Sequence, residues 1–241
     1  MVWTPQGGLR GGNFLYLWLR AHARTRSGAP TLVLHAPGMD AWLETFPSLA
    51  RLTIRREEVR FIDRREWDDE YLYQRYGVDF AATDVDAFVA ETLAPHIPLA
   101  ASDLLVVNVR RGDYYTHFRE KYAFDQIGYV VAAIEQLRPI ERILVVSDDD
   151  LWCRANLDAH LRAVAAEVAY ARPEPLPNFL AVAGARRIIG MNSTFSYWGG
   201  YCAVAMRPDA QVTMPLFHGR MGDRTDAHQL DPRWTSLAGY H

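Results

Sequence analysis

The sequence predicts an α/β protein with a mostly parallel sheet, and three observations carry that expectation. Short apolar runs alternate with helical patterns along the 241 residues, as when strands are buried beneath covering helices. No repeat or low-complexity tract interrupts the alternation. Polar clusters follow three of the apolar runs in the second half, at the strand ends where open parallel sheets collect ligands.

In the first half, residues 13–26 (NFLYLWLRAHARTR) read as a helix, and TLVLHA reads as the strand after it. LARLTI and VRFID read as further short strands. DVDAFVAETL, residues 84–93, reads as a helix opened by an aspartate cap. APHIPLAASD, residues 94–103, is rich in proline and small residues and reads as a crossover. It divides the chain into residues 1–98 and 99–241.

The second half is more regular. LLVVNV (104–109) is a strand, residues 121–137 suit a helix, RILVVSD (142–148) is a strand and LWCRANLDAHL a helix. VAAEVAYA reads as a third strand, and PNFLAVAGA (177–185) as a helix with proline at a tolerated first position. RRIIGMNS is a fourth strand, TFSYWGGYCAVAM a fourth helix, and QVTMP a final strand. The remaining tail, 218–241, is polar and turn-rich and reads as a lid or a loosely attached arm.

Composition narrows the classes of function. With 49% hydrophobic residues the chain has enough apolar surface for one large or two small cores. A net charge of -3 argues against a general nucleic-acid surface, which needs a basic excess. Cys153 and Cys202 both fall in helical segments without metal-type spacing, so two free thiols in a reducing compartment are expected. The histidines form no HxH or HxxxH pair, and no metal is expected. The start, MVWTPQGGLRGG, lacks the basic and apolar regions of a secretion signal, and no apolar run is long enough to span a membrane. The expected location is the cytoplasm, with no transmembrane segment and room for peripheral contact with a membrane.

The strand ends carry the chemistry. Arg110, Arg111, Gly112 and Asp113 follow the first strand of the second half; Ser147, Asp148, Asp149 and Asp150 follow the second; Asn192, Ser193, Thr194, Phe195 and Ser196 follow the fourth. An arginine fork binds phosphate oxygens in bidentate fashion and keeps its charge at any relevant pH. A polar turn leading into a helix offers hydroxyls and free N–H groups, an anion seat favoured by the helix dipole. Together they suit a diphosphate. Each also has a plainer reading: RRGD as an exposed ion-pair corner, NSTF as a helix cap, SDDD as a turn with a cap. The N-terminal GGLRGGN, with Gly7, Gly8 and Asn13, precedes a helix but does not match GxGxxG, and a flexible turn explains it equally. The cluster EWDDEYLYQRYG (66–77), with Trp3, Trp18 and Trp42, suits either stacking on sugar rings or ordinary core packing.

VNVRRGDY, VVSDDDLWCRANL and RIIGMNSTFSYWGGYCA, in this order, resemble the bacterial α-1,2-fucosyltransferases and, more distantly, the α-1,6- and protein O-fucosyltransferases. GGLRGGNFLYLWLRAHA is similar to a modified form of their N-terminal glycine loop and first helix. The resemblance covers about residues 94–215 and is poor over 30–93. It implies a GT-B fold: two facing Rossmann-like domains, residues 1–98 on the acceptor side and 99–241 holding the donor. It implies inversion at the anomeric carbon without a metal or cofactor. In the family's motif the residue matching Arg110 contacts the donor diphosphate. Ser193, Thr194 and Phe195 match the turn that holds the phosphates and part of the nucleoside. Ser147 and Asp148 match a partly structural motif. Asp113 is either the general base for the acceptor hydroxyl or a partner fixing Arg111.

Two departures bear on the donor. The family pattern HxRR begins here with Asn108. Asn178 stands where the family has an aspartate that accepts hydrogen bonds from guanine. A carboxylate accepts twice, whereas an amide accepts once and donates once, which suits a pyrimidine edge better. The expected function is transfer of a deoxyhexose, fucose from GDP-fucose first, to a hydroxyl of a glycan or glycoside. A thymidine or uridine diphosphate deoxysugar is the alternative donor, and an inactive nucleotide- or glycan-binding relative is the rival class.

Overall fold

The computed structural model describes the chain except residues 6, 8, 68–73 and 222–223, and the side chains of all described residues but 67 and 224–226. The chain divides into two compact units, Met1–Ile97 and Pro98–His241.

The first unit contains β1 (Val2–Thr4), α1 (Gly12–Arg26), β2 (Leu32–Leu34), α2 (Asp40–Thr45), β3 (Thr53–Ile54), β4 (Arg65–Trp67) and α3 (Ala82–Phe88). The last runs on as a π-turn, Val89–Leu93. The four strands form a parallel sheet in the order β3-β2-β1-β4. α1 is buried nearly all round: the consecutive residues Leu15, Tyr16, Leu17 and Trp18, which span its circumference, are fully buried. Trp3 and Trp42 are also core residues, so these three tryptophans are closed to a sugar ring. Tyr71 and Tyr73 lie outside the described residues. The VRFID strand is not formed: Arg60–Asp63 is a closed turn and pairing starts only at Arg65. LARLTI is mostly a 3-10 turn, Pro47–Leu52, with strand pairing only at Thr53 and Ile54.

The second unit runs β5 (Leu104–Val109), α4 (Gly112–Thr116), α5 (Arg119–Tyr122), α6 (Gln126–Gln136), β6 (Arg142–Ser147), α7 (Asp150–Asn156), α8 (Asp158–Arg162), β7 (Glu167–Tyr170), α9 (Pro175–Ala183), β8 (Arg187–Ile189), α10 (Thr194–Met206) and β9 (Gln211–Pro215). A hairpin follows, β10 (Gly219–Met221) with β11 (Arg224–Asp226), and then β12 (Thr235–Leu237). Six strands form a parallel sheet in the order β12-β9-β8-β5-β6-β7. Chain order runs one way from β5 through β6 to β7 and the other way from β8 outward. The sheet therefore reverses between β5 and β8, and a crevice opens there beyond the strands' carboxyl ends.

Two expectations about this unit are corrected. The helix expected over 121–137 begins only at Gln126, because Asp125 caps it by accepting from Gly128 N at 2.9 Å. Gly128 permits this: a Cβ there would lie 2.3 Å from Asp125 Oδ2. The tail is not a loose arm. β12 pairs parallel to β9, and Asp125 N donates to Tyr240 O at 2.7 Å. Trp234 is buried, stacked 4.9 Å from Tyr201, over Gly200, where a Cβ would meet its ring at 2.8 Å. Among the described residues no helix is long and apolar enough to cross a membrane.

Candidate functional site

Arg110 and Arg111 leave the end of β5 in different roles. Arg110 donates through Nη1 to Asp148 Oδ2 at 2.6 Å and through Nη2 to Asp113 Oδ1 at 2.5 Å. Its guanidinium stays partly exposed. Arg111 is shut in: its guanidinium lies 3.9 Å from the ring of Tyr115 and 3.8 Å from that of Trp152. Nη1 donates to Gln126 Oε1 at 3.2 Å, and Nε reaches Asp149 Oδ2 at 3.3 Å. Of the expected two-arginine fork, Arg110 is thus held between two carboxylates and Arg111 between two rings. Asp113 pairs with Arg110 and not with Arg111, as one reading had it.

The turn between β5 and α4 exists because Gly112 allows it. Its φ is +25°, and a Cβ would stand 2.5 Å from Asp148 Oδ2. That closeness lets Asp148 hold two groups at once, since its Oδ1 also accepts from Arg111 N at 2.8 Å. Gln126, 2% exposed, completes the support, with Nε2 donating to Arg110 O at 2.8 Å. Nothing in the sequence singled out Gln126, a lone amide on a helix. Tyr114 and Tyr115 stood inside the arginine motif without a role. A cavity of about 240 Å³ opens beside Arg111, between Tyr115, Arg119, Gln126 and Trp152.

Across the crevice, β8 leads into the 192–196 turn. Ser193 caps α10, its Oγ accepting from Ser196 N at 3.2 Å. Ser196 Oγ accepts from Met191 N at 3.0 Å and donates to Asn108 Oδ1 at 2.6 Å. Asn108 Nδ2 donates to Val146 O at 3.2 Å. Asn108 and Ser196 are buried: the amide at position 108 ties β5 to the turn and has both its oxygen and its nitrogen in internal hydrogen bonds. Asn192 is likewise internal, donating to Tyr122 O at 2.9 Å and His218 O at 2.8 Å. Ser147 is buried, its Oγ accepting from Asp149 N. Thr194 and Phe195 stay half-exposed at the start of α10. Buried polar groups need partners; Asn108, Ser193 and Ser196 supply one another, whereas Asn192 Oδ1 is buried with no partner among the described residues.

Asn178 sits in the first turn of α9, next to Phe179, whose ring meets Phe195 edge-on at 5.6 Å. Its Nδ2 donates to Arg172 O at 2.8 Å, and its Oδ1 makes no hydrogen bond among the described residues. One N–H of the amide is therefore spent on the backbone, and the second N–H and the Oδ1 acceptor are left.

In the first unit the glycine loop is plainer than expected. Gly7 is exposed with open space where a side chain would go, Gly8 lies outside the described residues, and Asn13 makes no side-chain hydrogen bond among them. Gly11, with φ +49°, is the residue that opens α1. Both cysteines are unpaired and buried, and burial pushes the Cys153 thiol up to about 11. Among the described residues no group of three or more His, Cys, Asp or Glu side chains is placed to hold a metal ion.

Among curated proteins, none matches the chain significantly. The model of glycosyl transferase family 11 matches residues 70–207, more than half of the chain. That stretch takes in Arg110, Asp148, Asn178 and the 192–196 turn, and with it the chain belongs to glycosyl transferase family 11.

Proposed function

We propose that the chain is an inverting, metal-independent glycosyltransferase of GT-B type, moving fucose from GDP-fucose to a hydroxyl of a glycan or glycoside. The observation that carries this reading is the pairing of Arg110 at the end of β5 with the start of α10 after β8, on either side of the sheet's reversal. The diphosphate takes the Arg110 guanidinium and the amides of Thr194 and Phe195. Charge developing on the leaving diphosphate is met by fixed donors, the largest catalytic contribution in many enzymes.

The reaction couples two events. Without ligand, Asp113 and Asp148 neutralise Arg110. An arriving diphosphate competes with Asp113 for Nη2 and releases that carboxylate, half of which is already exposed. Asp113 then takes the proton of the acceptor hydroxyl as its oxygen bonds to the anomeric carbon. The bond from that carbon to the diphosphate oxygen breaks on the opposite face, so the configuration inverts. Asp148, bound also to Arg111 N, keeps the guanidinium in place.

Asn178 Oδ1 faces the base. With one Nδ2 N–H held by Arg172 O, the amide keeps a second N–H beside its Oδ1 acceptor, so a pyrimidine edge stays the alternative partner. Guanine keeps one of the two bonds a carboxylate would accept. The test is calorimetric binding of GDP, UDP and dTDP without metal, followed by transfer or donor hydrolysis. GDP is expected to bind tightest, and Asn178→Asp to tighten it by about tenfold, the equivalent of one recovered bond. Tighter UDP or dTDP binding moves the enzyme to the alternative donor. Binding without turnover makes it an inactive relative.

A further inference from the structure

The turn before β4 places two large apolar side chains in water: Phe61 is fully exposed and Ile62 is 78% exposed. The turn is firmly closed. Asp63 N donates to Arg60 O at 3.1 Å, and Arg60 N donates to Asp63 Oδ2 at 2.7 Å. The Arg60 guanidinium grips the same carboxylate through Nη2 at 3.0 Å. Phe61 and Ile62 occupy its two central positions, so the clamp holds them outward and prevents their folding back onto the sheet.

Charge surrounds them. The connection from β3 to β4, residues 55–65, carries Arg55, Arg56, Arg60, Arg64 and Arg65 against Glu57, Glu58 and Asp63. All five arginines are exposed, and Arg55, Arg56 and Arg65 form no ion pair among the described residues. An apolar tip flanked by arginines fits the boundary of an anionic bilayer: the tip enters the acyl edge and the guanidiniums meet lipid phosphates.

We propose that the Phe61–Ile62 turn is a membrane-docking tip for anionic phospholipid surfaces. The charge argues against a second copy as the occupant. In a two-fold contact the same patch meets itself, which would set two arginine-rich turns face to face. A specific protein partner needs roughly 1,000 Å² of matched surface, whereas two projecting side chains need only a fluid interface. The turn precedes β4, so it lies at the amino end of that strand, away from the carboxyl ends where parallel sheets bind ligands.

The test is co-sedimentation of the full chain with phosphatidylcholine vesicles, with and without phosphatidylglycerol. Binding is expected with phosphatidylglycerol and to weaken as salt rises, through screening. The double variant Phe61→Ser/Ile62→Ser keeps the Arg60–Asp63 clamp and should lose about tenfold or more of the binding, with an unchanged melting temperature and unchanged GDP binding. Three outcomes overturn the proposal: no binding of the wild-type chain to phosphatidylglycerol vesicles, equal binding by the variant, or a wild-type dimer that the variant dissociates. The last would make the tip an interface between copies.

Discussion

Arg110 Nη1 donates to Asp148 Oδ2 at 2.6 Å, joining the residue after β5 to the residue after β6. The other oxygen of the same carboxylate holds the backbone N–H of Arg111. One aspartate thus aims the accessible guanidinium and fixes the peptide that carries it.

Removing the two partners should therefore have different effects. Arg110→Ala removes the guanidinium that the proposed function sets against the diphosphate, and is expected to cost about 3 kcal/mol or more of transition-state stabilisation. Asp148→Asn keeps the size but loses the charge pairing, and a fall of about tenfold in kcat is expected, as for one weakened charge-assisted bond. Steady-state kinetics on both variants checks the order. An Arg110→Ala enzyme with wild-type kcat would remove Arg110 from the reaction.

Gln126 touches Arg110 only through its carbonyl and Arg111 through its guanidinium. Gln126→Leu strands both groups in a buried place, at about 1–3 kcal/mol of stability. Urea unfolding measures that loss. Because the substitution also loosens the turn that carries Arg110, kcat should fall while KM for the donor changes less. A stability loss with untouched kcat would make Gln126 a packing residue alone.

Trp234→Ala distinguishes an integral tail from a lid. Trp234 is 6% exposed and stacks on Tyr201 and Tyr197. Truncating a buried tryptophan costs about 3–5 kcal/mol, read as a lower midpoint in thermal or urea unfolding. A detachable arm would leave the midpoint where it was.

Glu91 predicts a pH dependence in the first unit. His22, with which it hydrogen-bonds at 3.0 Å, and the nearby Arg26 and Arg51 hold its carboxyl below the usual range. A depressed carboxylate contributes stability that is complete above its unfolded pKa of about 4.3 and is lost as pH falls through the lower folded value. The gap in melting temperature between wild type and Glu91→Gln should shrink below about pH 4. A gap that stays constant through the acid range would show that Glu91 acts by shape alone.

The central strands and long helices were legible because their own periodicity decides their burial. LLVVNV and TFSYWGGYCAVAM form over the residues expected, each an apolar run bounded by strong signals. VRFID was misread because the Arg60–Asp63 clamp, a local side-chain hydrogen bond, outcompetes strand pairing there. The tail hid its strand because Thr235–Leu237 has no periodicity of its own and is recruited by the open edge of β9. The long helix expected from 121 was broken by the Asp125 cap, visible as a residue type but not as a boundary.

At the site, residue types alone raised the expectation of a diphosphate-like anion at the strand ends, beside the plainer readings of an ion-pair corner, a helix cap and a capped turn. What they left open was which polar group faces the ligand. Asn108, Asn192 and Ser196 look as available in the sequence as Thr194, yet they are spent inside on Val146, Tyr122, His218 and Met191. Arg111 looks equal to Arg110 until Trp152, forty-one positions on, closes over it. Those assignments belong to the tertiary structure because they depend on partners brought from distant strands and helices, and a side chain's exposure is set by what packs against it.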